Sequence, residues 1–177
     1  MNLDELRNDI LIKQKKGLPF IISSVVIWLL ITLVATFNIH YDAKNILVFC
    51  CSTLLLPLSW LIGKKMGIDI FSKQNELGKL GFLFTMNQML YLLIVMWVFN
   101  AVPDKMIMVY AMVFGAHLLP YSWLYKSKAY GLFSVIIPIL SLVLGNLFAG
   151  YIVSGAMAQV EILFVFALGY ELKTFTK

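Results

Sequence analysis

The chain has 177 residues, of which 61% are hydrophobic and only 13% charged; a soluble domain of this length could not cover so much apolar side chain with polar surface. The net charge of +5 comes from lysines in short clusters between apolar runs, not from one basic face. That excludes nucleic acid as the natural partner and is the pattern of a membrane protein.

Residues 1–16 carry Leu3, Leu6, Ile10 and Leu11 at helical spacing, with Asp4, Glu5, Asn8 and Asp9 largely on other faces and Lys13, Lys15 and Lys16 at the end. This predicts a short amphipathic helix in the cytoplasmic headgroup region. The segment is acidic as well as basic, and no small-x-small site follows the first apolar run, so that run is expected to stay in the protein. Residues 17–177 then form one transmembrane domain. Leu18–Phe37 is a run of twenty residues, enough to cross about 30 Å of hydrocarbon at ~1.5 Å per residue. Asn38–Asn45 is a polar turn, and Ile46–Ile62 is span two, with a bend expected at Pro57. Gly63–Lys79 is a longer connection whose Ile68, Ile70 and Phe71 suggest a surface-resting segment. Leu80–Phe99 and Met106–Leu124 are spans three and four, joined by the turn Asn100–Lys105. From Tyr130 to Tyr170 the chain holds one acid and no base over 41 residues, about twice a bilayer crossing, so two spans and a turn are required. Gly145, Ala149, Gly150, Ser154 and Gly155 place that turn roughly between Phe148 and Gly155.

The expected fold is therefore all-α: an integral membrane bundle of six helices in three hairpins. Lysine and arginine distribution orients it. With the N-terminus inside, Arg7, Lys13, Lys15, Lys16, Lys64, Lys65, Lys73, Lys79, Lys126, Lys128, Lys173 and Lys177 are inner and only Lys44 and Lys105 outer. Both chain ends are then cytoplasmic, in a cell membrane. Most tryptophans and tyrosines fall near span ends, with Trp60, Trp123, Tyr121, Tyr125, Tyr130 and Tyr170 at the inner boundary and Tyr41, Trp97, Tyr110 and Tyr151 at the outer one. Trp28, at mid-depth, is expected to pack against a neighbouring helix.

A repeat supports the topology. Leu55-Leu-Pro57-Leu-Ser59-Trp60-Leu61 recurs 63 residues later as Leu118-Leu-Pro120-Tyr-Ser122-Trp123-Leu124. Together with matching span starts and ends, this makes residues 17–65 and 81–128 two related hairpins in the same orientation, a parallel repeat.

Polar groups inside a bilayer carry a free-energy cost unless partnered, so they are the candidate functional residues. Asn87, Gln88 and His117 fall in the inner half, with Asn87 and His117 expected at one depth; Asn146, Gln159 and Glu161 fall in the outer half. Glu161 is the one acid placed inside the membrane, where a proton, a cationic solute or a partner such as His117 or Gln159 would satisfy it. A lone His117 makes no metal site, and adjacent Cys50 and Cys51 suit neither a disulfide nor zinc. Gly150, Ser154 and Ala158 form a small-residue stripe for close approach of another helix or subunit. No phosphate-binding glycine loop, His-Glu-x-x-His motif or serine nucleophile elbow occurs, so no catalytic residue, metal or cofactor is assigned.

The run Gly115-Ala-His117-Leu-Leu-Pro120-Tyr-Ser-Trp123-Leu-Tyr125-Lys-Ser-Lys-Ala-Tyr130 resembles a segment of a family of small, uncharacterised bacterial multi-spanning membrane proteins. The resemblance implies that setting and no activity. The residues themselves point to binding or translocation of a small solute along Asn87, Gln88, His117, Asn146, Gln159 and Glu161. The alternative is an accessory protein whose polar groups only join helices and whose partners, besides the lipid bilayer, are another membrane protein or a second copy.

Overall fold

A computed structural model describes residues 2–72 and 74–175; Met1 of the N-terminal segment and Lys73 and Lys177 of the inner lysines lie outside them. The fold is all-α, with no strand among the described residues. In chain order come α1 (Leu3–Lys13), α2 (Leu18–Thr36), α3 (Tyr41–Thr53), α4 (Leu55–Lys65), α5 (Leu77–Ala101), α6 (Met106–Ala116), α7 (Leu119–Leu124), α8 (Lys128–Leu147) and α9 (Gly150–Phe175). Six stretches are long and apolar enough to cross a membrane: α2, α3 with α4, α5, α6 with α7, α8 and α9.

Two boundaries differ from expectation. Span two begins at Tyr41, inside the segment read as a polar turn, because His40 accepts a hydrogen bond from the Asp42 backbone and Asp42 sits in the first turn, where a negative charge suits the helix dipole. The last turn is only Phe148–Ala149, so Gly150, Ser154 and Gly155 lie within α9. The small-residue stripe consequently faces the bundle of its own chain: Ser154 and Ala158 are buried, and Gly155 lies against Thr32 of α2.

Spans two and four are each interrupted at the same place. Helix α3 ends at Thr53, four residues before Pro57, and α6 ends at Ala116, four residues before Pro120. A proline ring collides with the carbonyl four residues back and supplies no N–H to it. Both copies of the repeat therefore break on one physical cause.

The centre of the bundle is made by α2, α6, α8 and α9, with the most extensive contacts between α2 and α9 and between α6 and α8. Gly115 and Gly145 permit the second pairing: a Cβ on Gly115 would come within 2.5 Å of Ile137, and one on Gly145 within 2.4 Å of Met108. Trp28 is buried against Tyr110 and Phe114, with ring centroids 5.5 and 5.8 Å away, as a mid-depth indole should be. The stretch α3–α4 and above all α5 are peripheral and expose most of their apolar side chains.

Helix α1 opens with a capping box between Asn2 and Glu5 and lies across the lysine-rich end of the bundle. Ile10 and Leu11 are buried, Arg7 Nε donates to the Trp123 carbonyl at 3.0 Å, and Lys126 reaches both Asn8 and Asp4. Asn75 of the long connection donates to the Leu6 carbonyl and to Asp9.

Three of the aromatics read as lying near the span ends are also buried within the protein. Tyr110, Tyr125 and Tyr130 are buried, because their hydroxyls find protein partners: Ser52 for Tyr110, the Gln14 side chain for Tyr125 and the Lys16 carbonyl for Tyr130. A satisfied hydroxyl no longer needs the headgroup region.

Candidate functional site

Glu161 is the centre of the buried polar structure. It lies 11 residues past the start of α9, roughly 16 Å along the axis, so it sits near mid-depth rather than at the outer rim. Its side chain is fully buried. Glu161 Oε2 is 2.5 Å from Ser24 Oγ, and Ser24 Oγ is also 2.7 Å from the Ile21 carbonyl. Glu161 Oε1 has no hydrogen-bond partner among the described residues. Beside this pair, Ser59 donates to Ser23 at 3.1 Å, and Ser23 donates to the Pro19 carbonyl at 2.8 Å. Two small hydroxyl contacts thus lie on α2, one toward α9 and one toward α4.

The other five polar residues are not gathered around Glu161. His117 places Nδ1 against the Phe114 carbonyl of its own helix and packs edge-on to Phe114 and Tyr121. Asn87 is exposed and makes no side-chain hydrogen bond among the described residues, so it is not joined to His117. Gln88 is half-buried without such a bond. Asn146 is exposed and donates to Leu142 of its own helix, and Gln159 is exposed on the outside of α9.

The lysine-rich end holds a second polar centre that spacing along the chain does not announce. Lys16 is 3% exposed and pairs with Glu171 at 2.6 Å; the same carboxylate accepts from Ser127 Oγ at 2.7 Å and from the Ala129 backbone at 2.9 Å. Lys15, Lys16 and Gly17 all have positive φ. A side chain on Gly17 would meet the Tyr130 hydroxyl at 3.0 Å, so glycine is needed there for both the backbone conformation and the space. The contact joins residues 155 apart. The only local hint is that Glu171 ends the long apolar stretch as Lys16 precedes the first one.

At the opposite end a cavity of about 460 Å³ opens among the turns, lined by Thr36, Asn38, Tyr41, Lys44, Asn45, Asp104 and Tyr151 among others. Both lysines at this end serve helix termini. Lys44 donates to the Ala35 carbonyl at the end of α2, and Lys105 donates to the Gly145 carbonyl near the end of α8, where a cation meets the negative pole of the helix. Asn45, buried, ties the cavity wall together by donating to the Pro103 carbonyl. From the cavity edge at Gly150, the positions Ser154, Ala158 and Glu161 descend one face of α9 at spacings of four, four and three, all buried below the rim.

Family comparison decides the chain's affiliation. It belongs to DUF7010, a family of unknown function, matched over residues 3–171. No curated protein and no solved structure matches it. The DUF7010 match takes in α1, the whole of the six-helix bundle up to Glu171, and so every polar centre described above. No cluster of three or more metal-ligating side chains occurs among the described residues. What the arrangement can do chemically is hold or exchange a proton or a cation at a buried carboxyl, below an open polar cavity.

Proposed function

We propose that the protein is a multi-pass protein of the cell membrane, with both chain ends in the cytoplasm, that binds and translocates a small solute in exchange for a proton held by Glu161. In this reading it is not an enzyme and uses neither cofactor nor metal. One observation carries the proposal: a glutamate at mid-depth has a single hydroxyl partner and an oxygen left without any. A hydroxyl has one hydrogen to give. Ser24 lies within bonding distance of both the Ile21 carbonyl and Glu161, and both contacts are satisfied together when Glu161 carries a proton and donates it to Ser24. A protonated carboxyl tolerates hydrocarbon; an ionised one needs a cation or water. Alternation between these two conditions is the elementary step of proton-coupled exchange. The cavity above Gly150 supplies the entrance, and the lysine bias supplies the orientation.

The test uses purified protein in liposomes containing a pH-sensitive dye. Addition of small organic monocations, tetramethylammonium and ethidium among them, should produce solute-dependent proton movement that Glu161→Gln abolishes while leaving abundance and Tm unchanged. A second reading, an accessory protein without transport, is favoured by the scattering of Asn87, His117, Asn146 and Gln159 away from Glu161. Absence of proton movement with every cation, together with co-purification of another membrane protein, would decide for it.

A further inference from the structure

The outward face of α5 bears one feature that lipid alone does not satisfy. Leu83, Asn87, Leu90, Ile94 and Trp97 follow one another at spacings of four, three, four and three, the repeat by which two helices pack along a common seam. All five are exposed, with Leu83, Leu90 and Trp97 each at least 60% so, and α5 has the smallest buried share of the six spans. The stripe is apolar except at Asn87, ten residues into a helix of 25 and thus about 15 Å from its start.

Other exposed asparagines on these helices do not share its condition. Asn100 donates to Met96 and Asn146 donates to Leu142, each returning its amide to the carbonyl four residues back. Asn87 does not do so toward Leu83, and it faces away from the bundle with its amide unbonded. A short side chain at that depth cannot reach the headgroups. An amide carries both donor and acceptor and is therefore complementary to itself.

We propose that the α5 face binds a second copy of this chain, the two α5 helices lying side by side in the same orientation with their Asn87 amides hydrogen-bonded to each other. Two copies inserted the same way bring Asn87 to the same depth without any adjustment of register, which no other class of occupant guarantees. A two-fold axis along the membrane normal makes the contact close on itself. Leu90, Ile94 and Trp97 complete the seam toward the opposite end, and Met86 and Leu93 flank it with adaptable apolar surface. Gln159 is the rival position, with Leu163, Phe166 and Tyr170 exposed below it. It lies on a helix already much more buried than α5, and its longer side chain has more reach.

The experiment reconstitutes the full chain, singly labelled, into vesicles of phosphatidylethanolamine and phosphatidylglycerol and counts photobleaching steps over a thousandfold range of protein dilution. The wild type should pass from dimer to monomer as dilution increases. Asn87→Leu should weaken the dimer about tenfold, as expected for one interhelical hydrogen bond, and Asn87→Gln should restore part of the loss. Asn87 is exposed and makes no side-chain hydrogen bond within the bundle, so the leucine variant should fold; an unchanged circular dichroism spectrum verifies this. With Cys50 and Cys51 replaced by alanine, Leu90→Cys and Ile94→Cys should cross-link to themselves on oxidation, whereas Leu163→Cys and Phe166→Cys should not. Monomers at every dilution, a dimer indifferent to Asn87→Leu, or cross-linking confined to positions 163 and 166 would each overturn the proposal.

Discussion

The two copies of Leu-Leu-Pro-x-Ser-Trp-Leu break their helices at equivalent residues yet differ at their first and last leucines, buried in the second copy and not in the first. In the first, Leu56, Pro57, Trp60 and Leu61 are exposed at the edge of the bundle, and only Ser59 is fully buried. In the second, Leu118, Leu124 and Tyr125 are buried, and the chain runs on into the Ser127–Ala129 segment that holds Glu171. Even the tryptophans, both exposed and both capped by a cation, differ in their partner. Lys64, four residues on, covers Trp60, whereas Trp123 is covered by Arg7 from α1. A proline withholds its N–H from the carbonyl four residues back, so the break at these two copies has a local cause, although α8 continues through Pro138. Burial depends on what the remainder of the chain brings alongside.

This contrast can be broken most severely at the end of the second copy. Glu171→Leu leaves the Lys16 ammonium buried without its carboxylate and should lower stability by about 3 kcal/mol or more, seen as a large fall in Tm in detergent. Lys65→Leu, at the exposed end of the first copy, should change it by less than about 0.5 kcal/mol. Equal effects would mean that the Lys16–Glu171 contact is not what fastens the second copy.

A smaller difference is expected one turn before the proline. Gly115 and Ser52 occupy equivalent positions, 63 apart. Gly115→Leu forces a side chain into Ile137 and Pro138 and should cost about 3 kcal/mol. Ser52→Leu removes the acceptor of the Tyr110 hydroxyl and a bond that Ser52 returns to the Val48 carbonyl of its own helix, a loss of about 1 kcal/mol. Denaturant titrations of the two variants give the order directly, and the reverse order would refute the assignment of α6 and α8 as the close pair.

The smallest effect separates the two tryptophans. Arg7→Ala should loosen α1 by roughly 1 kcal/mol, while Lys64→Ala should leave stability within error. Acid probes the same docking. Lys126 hydrogen-bonded to Asp4, and Lys13 followed by Asn75 at Asp9, hold these carboxyls below their ordinary value of 3.8. A folded pKa below the unfolded one means that the contribution is fully present above pH 3.8 and is lost as pH falls through the folded values. Protection factors over residues 3–13, relative to the intrinsic rate at each pH, should therefore fall below pH 3.8 before those of the spans do; protection that persists at pH 2 would show that Ile10 and Leu11 alone hold α1.

Much of the fold was readable in advance, for reasons that particular residues make plain. Runs such as Leu18–Phe37 have one stable solution in a bilayer, and Pro57 and Pro120 announce their breaks. The candidate site was readable only as a set of residue types. Glu161 stood out as an acid in an apolar run, but its partner Ser24, in the first span, looked like any serine able to bond its own helix. Asn87 and His117 were expected to meet because hairpin geometry put them at one depth; rotation about each helix axis, which depth does not constrain, turned Asn87 outward and His117 onto its own backbone.

What the sequence by itself determined is the number of helices long and apolar enough to cross a membrane, the lysine-rich end and the two helix breaks, since each follows from local composition against the thickness of a bilayer or from the covalent form of proline. Only the tertiary structure decided which helices form the centre, that Lys16 meets Glu171, that Tyr125 and Tyr130 turn inward and that Asn87 is left facing out. Those outcomes depend on side-chain volumes and hydrogen-bond partners supplied by other segments, for Lys16, Tyr125 and Tyr130 more than a hundred residues away, and in lipid, where apolar surface gains little by leaving the solvent, packing and polar pairing choose the neighbours.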